Sequence, residues 1–197
     1  MKQQTNKIGE NQLKILELFT RGFNKIYYVR EIATILKIGP RTAQLNLEAL
    51  EMAGILESIT KGKIKNYSLR TNALTKEYLK LTEMHKYIRF LEKDRRIKEV
   101  ILAIKSHMAG IGLVFGSYAK NREKNDSDLD VFVIGTYSRK EIEKLSELYA
   151  LKITVKNYPL NLFIKEMHKD FLIKEILDNH IIFQGIEEFI ERAWSIH

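Results

Sequence analysis

The segment that most constrains this chain is a polar stretch set between two apolar runs. Ile111-Gly112-Leu113-Val114-Phe115 precedes it and Val131-Phe132-Val133-Ile134 follows it, the pattern of two short buried strands. Between them stand Gly116-Ser117, ten residues from 118 to 127, and then Asp128-Leu129-Asp130. Alternate side chains of a strand share a face, so Asp128 and Asp130 point one way and Leu129 the other. Two carboxylates that close repel, and either one protonates or a cation joins them. A hard divalent ion such as Mg2+ takes oxygen ligands of this kind. Gly116 lets a ligand approach the backbone closely. Backbone N–H groups at such a turn can hold a phosphate.

A Gly-Ser pair, ten residues, Asp-x-Asp and a following apolar strand resemble the minimal nucleotidyltransferase group of the DNA polymerase β superfamily, from about Ile111 to the C-terminus. The resemblance implies that Gly116 and Ser117 hold a nucleoside triphosphate (NTP), as substrate or ligand. It implies that Asp128 and Asp130 are catalytic and bind Mg2+. It also implies a third carboxylate on a neighbouring strand. The strand expected there, Ile153 to Tyr158, has no acid, nor has any position between Glu147 and Glu166. Thr154 or Lys156 stands where the acid would be, and Glu166 replaces it only in another register. Lys120, Arg122 and Lys124 precede the Asp pair, where they either touch triphosphate or face water.

The first third reads differently. Asn11 to Phe19 has helical periodicity, with Asn11 as its N-cap and Leu13, Ile15, Leu16, Leu18 and Phe19 turned inward. A short strand at Tyr27-Tyr28-Val29 and a helix from Arg30 to Leu36 follow, the helix burying Ile32, Ala33, Ile35 and Leu36. Gly39 can close that helix, and Pro40 suits the first position of the next. The third helix, about Arg41 to Ala53, buries Ala43, Leu47, Leu50 and Met52. Ile55 to Thr60 and Ile64 to Leu69 alternate as strands around Lys61-Gly62-Lys63. Residues 8–70, with Leu50-Glu51-Met52-Ala53-Gly54-Ile55-Leu56, the Lys-Gly-Lys tip and Tyr67-Ser68-Leu69, resemble the winged helix-turn-helix of bacterial and archaeal transcription regulators. The resemblance implies double-stranded DNA as partner. Arg41, Thr42, Gln44 and Asn46 would reach base edges or phosphates, and Lys61, Lys63 and Lys65 would meet phosphates. Protein contact is the competing use of that surface.

Charge supports the division. Residues 1–72 hold 12 basic and 6 acidic side chains, 73–110 hold 9 and 5, and 111–197 hold 12 and 14. The net +8 therefore lies outside the transferase-like half, which points to nucleic-acid contact through the N-terminal half. Residues 71–109 read as a helical connector with a first stripe of Leu74, Tyr78, Leu81, Met84, Ile88 and Leu91. That stripe either packs within the chain or pairs two copies as a homodimer. Arg95-Arg96 reads as solvated surface.

In 110–197, a helix from Arg139 to Leu151 buries Ile142, Leu145, Leu148 and Tyr149. Asn161 to Lys165 is open between strand and loop. Phe171, Phe183, Phe189 and Trp194 are expected in the core. With no Cys, no apolar run long enough to span a membrane and a polar start at Met1–Lys7, the expectation is a cytoplasmic protein without membrane contact. The five His show no ligand spacing.

The expected architecture is α+β: winged helix-turn-helix, connector, and a mixed sheet with helices. Two functions remain open. One is a DNA-binding transcriptional regulator whose nucleotidyltransferase domain binds Mg2+–NTP. The other is an active nucleotidyltransferase moving a nucleoside monophosphate from NTP to a hydroxyl acceptor, a small molecule or a partner protein.

Overall fold

Ten helices and seven strands build an α+β chain with two separate sheets in the described residues of the computed structural model, 8–124, 126–166 and 169–194. Met1–Lys7, Asn125, His168 and His197 lie outside them. The chain divides into two compact units, Met1–Thr82 with Ala193–His197, and Glu83–Arg192.

The first unit runs α1 (Glu10–Phe19), β1 (Tyr27–Tyr28), α2 (Val29–Leu36), α3 (Pro40–Met52), β2 (Leu56–Lys61) and β3 (Ile64–Leu69). Leu13, Ile15, Leu16, Leu18 and Phe19 of α1 are all buried, as are Ala43, Leu47 and Leu50 of α3. The hairpin pairs Leu56 with Leu69 through Lys61 with Ile64, and β1 adds itself to β3. Several local expectations are corrected. Gly9, not Asn11, caps α1, its N–H donating to Gln12 Oε1 at 2.8 Å. Lys37, with φ 54°, closes α2 in the left-handed conformation, while Gly39 caps α3 and Pro40 opens it. Ile35 is 45% exposed and Met52 86%, because both lie beyond the arc that their helices bury.

The long helix α4 (Ala73–Lys93) belongs in part to each unit. Its buried side is Thr75, Leu79, Thr82, Glu83, Tyr87 and Phe90, whereas Leu74, Leu81, Met84 and Ile88 are exposed. Asp94 ends the run, since its Oδ1 accepts from Arg96 N at 2.7 Å and Ile97 N at 3.2 Å and so caps the next helix.

The second unit continues with α5 (Arg95–Lys105), β4 (Met108–Phe115), α6 (Gly116–Ala119), β5 (Leu129–Tyr137), α7 (Arg139–Leu148), β6 (Ile153–Tyr158), α8 (Leu160–Glu166), α9 (Phe171–Asp178), β7 (Ile181–Gln184) and α10 (Ile186–Trp194), whose last residues fall in the first unit. Strand order is β6-β5-β4-β7. β4 is antiparallel to both neighbours, and β5 and β6 are parallel. Leu129, Val131 and Val133 share a core with Ile97, Val100, Ile101 and Ile104 of α5 and Ile142 and Leu145 of α7. The opposite side of β5 carries Asp130 and Phe132. Phe132 is fully buried against Phe115, Tyr158 and Phe163.

Here too some expectations give way. Arg96 is no idle surface charge: its guanidinium donates to Tyr149 O at 2.7 Å and Ala150 O at 2.5 Å, closing the end of α7. Leu148 and Phe171 are 75% and 82% exposed. The segment left open between strand and loop is helix α8.

Candidate functional site

β4 and β5 position the site. Phe115 lies opposite Asp130 in their antiparallel ladder, so the chain leaves β4 at Gly116 beside the second carboxylate. Gly116 takes φ +70°, and a Cβ built on it would run into Asp130 Oδ2. Glycine is required on both counts, because a side chain would strain the turn and displace the carboxylate. Ser117 follows in the short helical turn α6, whose N-cap, Phe115, offers no capping side chain. The loop that returns to β5 is tied internally. Arg122 N donates to Ser117 O at 3.0 Å, and Lys124 N donates to Ser127 Oγ at 2.8 Å.

The carboxylates differ in their surroundings. Burial beside the aromatic cluster, then the charge of Asp128, raises the Asp130 carboxyl above its ordinary value. Asp128 Oδ2 accepts from Lys152 Nζ at 2.5 Å. That hydrogen bond, with the Asp128 charge behind it, raises the Lys152 ammonium. The parallel ladder sets Asp130 beside Thr154 and Phe132 beside Lys156. The position flanking the second carboxylate is thus a threonine between two lysines. Glu166 falls on α8, not on a strand. Lys120 donates to Glu175 Oε1 at 2.5 Å, and Glu175 contributes to raising Asp130. Sequence reasoning missed Lys152 and Glu175. Only the parallel register and the return of α9 bring them in.

Among the described residues, no group of three or more His, Cys, Asp and Glu is placed to hold a metal ion. Two carboxylates, one of them raised by burial and then by its neighbour, nevertheless fit a Mg2+ that arrives with phosphate oxygens and keeps some of its waters. They do not fit an all-protein metal cage.

In the first unit, Arg41, Lys61 and Lys63 are exposed, and Thr42, Gln44 and Asn46 are half-buried. Gln44 Nε2 donates to Glu48 Oε1 at 2.8 Å, and Asn46 Nδ2 donates to Thr42 O at 2.8 Å. Lys65, half-exposed, is engaged within the chain: it donates to Glu51 Oε2 at 2.6 Å, and its Nζ lies 5.1 Å from the centre of the Tyr67 ring. Ser58 Oγ donates to the same carboxylate at 2.5 Å, and with Lys65 it holds Glu51 below its ordinary value. Tyr28, Val29, Arg30, Lys63, Ile64 and Lys65 line an open groove of about 560 Å³. Exposed Tyr28 and Arg30 at the head of α2 were the signal for it in the sequence.

Residues 99–188 match the family model described as Polymerase beta, Nucleotidyltransferase. Neither the curated proteins nor the solved structures gave a match to the chain. The matched segment contains β4, the Gly-Ser turn, β5 and β6, so a nucleotidyltransferase domain is what this half of the chain is similar to.

Proposed function

We propose that the second unit binds a nucleoside triphosphate with its Mg2+, and that the chain is a DNA-binding regulator carrying this domain. The observation that carries the nucleotide reading is the Gly116–Asp130 relationship: a turn with no room for a side chain, set directly against a raised carboxylate. Gly116 and Ser117 would take phosphate oxygens on the backbone. Asp128 and Asp130 would hold Mg2+, which when bound screens phosphate charge and draws electron density from the reacting phosphorus. Thr154 in place of a third acid leaves no assigned general base, which favours binding over turnover.

The DNA reading draws support from three helices followed by a hairpin, from the basic balance of residues 1–72, and from exposed Arg41, Lys61 and Lys63. Lys65 serves Glu51, so phosphate contact falls to the other two wing lysines and to Arg30 at the groove. The exposed apolar side chains of α4 support pairing of two copies.

The second reading is transfer of a nucleoside monophosphate to a hydroxyl. The acceptor oxygen would bond to the α-phosphorus, the bond to the β-phosphate oxygen would break, and pyrophosphate would leave. Burial, then the charge of Asp128, raises the Asp130 carboxyl, and that is the observation in favour of this reading.

Calorimetric titration with ATP, with and without Mg2+, on the wild type and on Asp128→Asn/Asp130→Asn tests the nucleotide reading. Mg2+-dependent binding lost in the double variant supports it. No heat with any of the four nucleotides removes it.

A further inference from the structure

The strand beside the carboxylate pair carries positive charge. Lys152, just before β6, alternates with Thr154 and Lys156 on it, as Asp128, just before β5, alternates with Asp130 and Phe132 on it. The parallel register sets Thr154 beside Asp130 and Lys156 beside Phe132. Leu129 N donates to Lys152 O at 2.8 Å, so the backbone itself fixes Lys152 at the level of Asp128. Its ammonium then reaches Asp128 Oδ2 at 2.5 Å.

We propose that Lys152 is a built-in counter-ion for the carboxylate pair, occupying Asp128 so that the free protein takes up a divalent cation weakly and admits one mainly when phosphates deliver it. This rests on the nucleotide reading for its setting, but what it asserts concerns the free protein. The pair is solvent-exposed, with Lys152 73% and Asp128 36% exposed. An ion pair of that kind adds little to stability. Its consequence lies in the charge that an incoming cation meets. Lysine is a point charge on a flexible stem and can swing aside. A divalent ion and the ammonium therefore compete for the same oxygen, and triphosphate offers the displaced ammonium a new partner. The Lys156 side chain makes no hydrogen bond or ion pair among the described residues, so it adds charge without occupying a ligand atom.

Mn2+ titration of the full chain without nucleotide, read by electron paramagnetic resonance, tests this. Lys152→Gln should bind Mn2+ about three- to fivefold more tightly than the wild type, the most that an exposed pair can withhold. Lys152→Glu, which adds a carboxylate, should bind more tightly still. Lys156→Gln should change affinity less than about twofold, because its charge acts only from a distance. Unchanged affinity in both Lys152 variants overturns the proposal, and so does an equal gain in Lys156→Gln. If the wild type binds no ATP in the calorimeter while the Lys152 variants still gain Mn2+, the nucleotide reading falls and the counter-ion role stands.

Discussion

Thr154 stands beside Asp130 on the parallel β5–β6 ladder, on the same face of the sheet. If the missing acid is what limits chemistry, Thr154→Asp supplies it at the right register. The expected outcome is Mg2+-dependent pyrophosphate release from ATP at least about tenfold above the wild type, the lower end of what a positioned base contributes being larger still. Release at the wild-type level would show that something other than the third carboxylate is lacking.

Gly116→Ala is expected to cost more than about 1 kcal/mol of stability, since alanine must adopt a positive φ. ATP affinity should fall with it, because the new methyl displaces Asp130. Urea unfolding and calorimetry on one preparation check both, and a variant with unchanged ATP affinity would detach the turn from the site.

Glu83 is fully buried between Lys86, 2.8 Å away, and His180, 3.3 Å away. Burial alone would raise its carboxyl, but the Lys86 ammonium and the His180 ring beside it outweigh that and hold it down at about 2. Because the folded value lies below the ordinary 4.5, the folded state binds fewer protons. The contribution is complete above pH 4.5 and drains away as pH falls towards 2. Glu83→Gln should destabilise by about 3 kcal/mol at pH 7, the scale for removing one partner of a buried pair. The gap from wild type should shrink at pH 3, as urea titrations at the two pH values would show.

On a random-sequence duplex followed by fluorescence anisotropy, Arg41→Ala and Lys63→Ala should each weaken binding. Each should also reduce the salt slope by about 0.9. Lys65→Ala should leave the slope unchanged while lowering stability, because its partners are Glu51 and the Tyr67 ring. Salt-insensitive binding in the wild type would remove the regulator reading.

Leu81→Glu with Ile88→Glu should convert a sedimenting dimer to monomer without loss of helix content, both side chains being about half exposed in one chain. A wild type that sediments as a monomer would assign the α4 stripe elsewhere.

The sequence was legible where local pattern decided the outcome. Leu47 and Leu50 recur at helical spacing and are buried, and the Gly-Ser and Asp-x-Asp spacing carried the nucleotidyltransferase likeness that the family match supports. Other features depend on contacts distant in sequence. α8 went unread because only Phe163 of its residues is buried, so no amphipathic stripe marks it. Lys37 closes α2 with a positive φ, a conformation that lysine propensity does not announce. Glu83 reads as one more surface acid of a charged helix until β7 brings His180 alongside. Lys152 lies 24 residues from Asp128, and no spacing rule links them before the parallel register is known.

The strand order has a bearing on how such a site can change. The Gly-Ser turn and the carboxylates hang on β4 and β5, the two inner strands, whose apolar residues build the core. Thr154 and Lys156 sit on β6 and Lys152 directly precedes it, and β6 is an edge strand with none of its side chains fully buried. The charge presented to a ligand is thus set by residues that the core does not depend on. A few substitutions along this sheet edge could turn a lysine-guarded site into an acid-rich one, or the reverse, while leaving the framework that folds it intact.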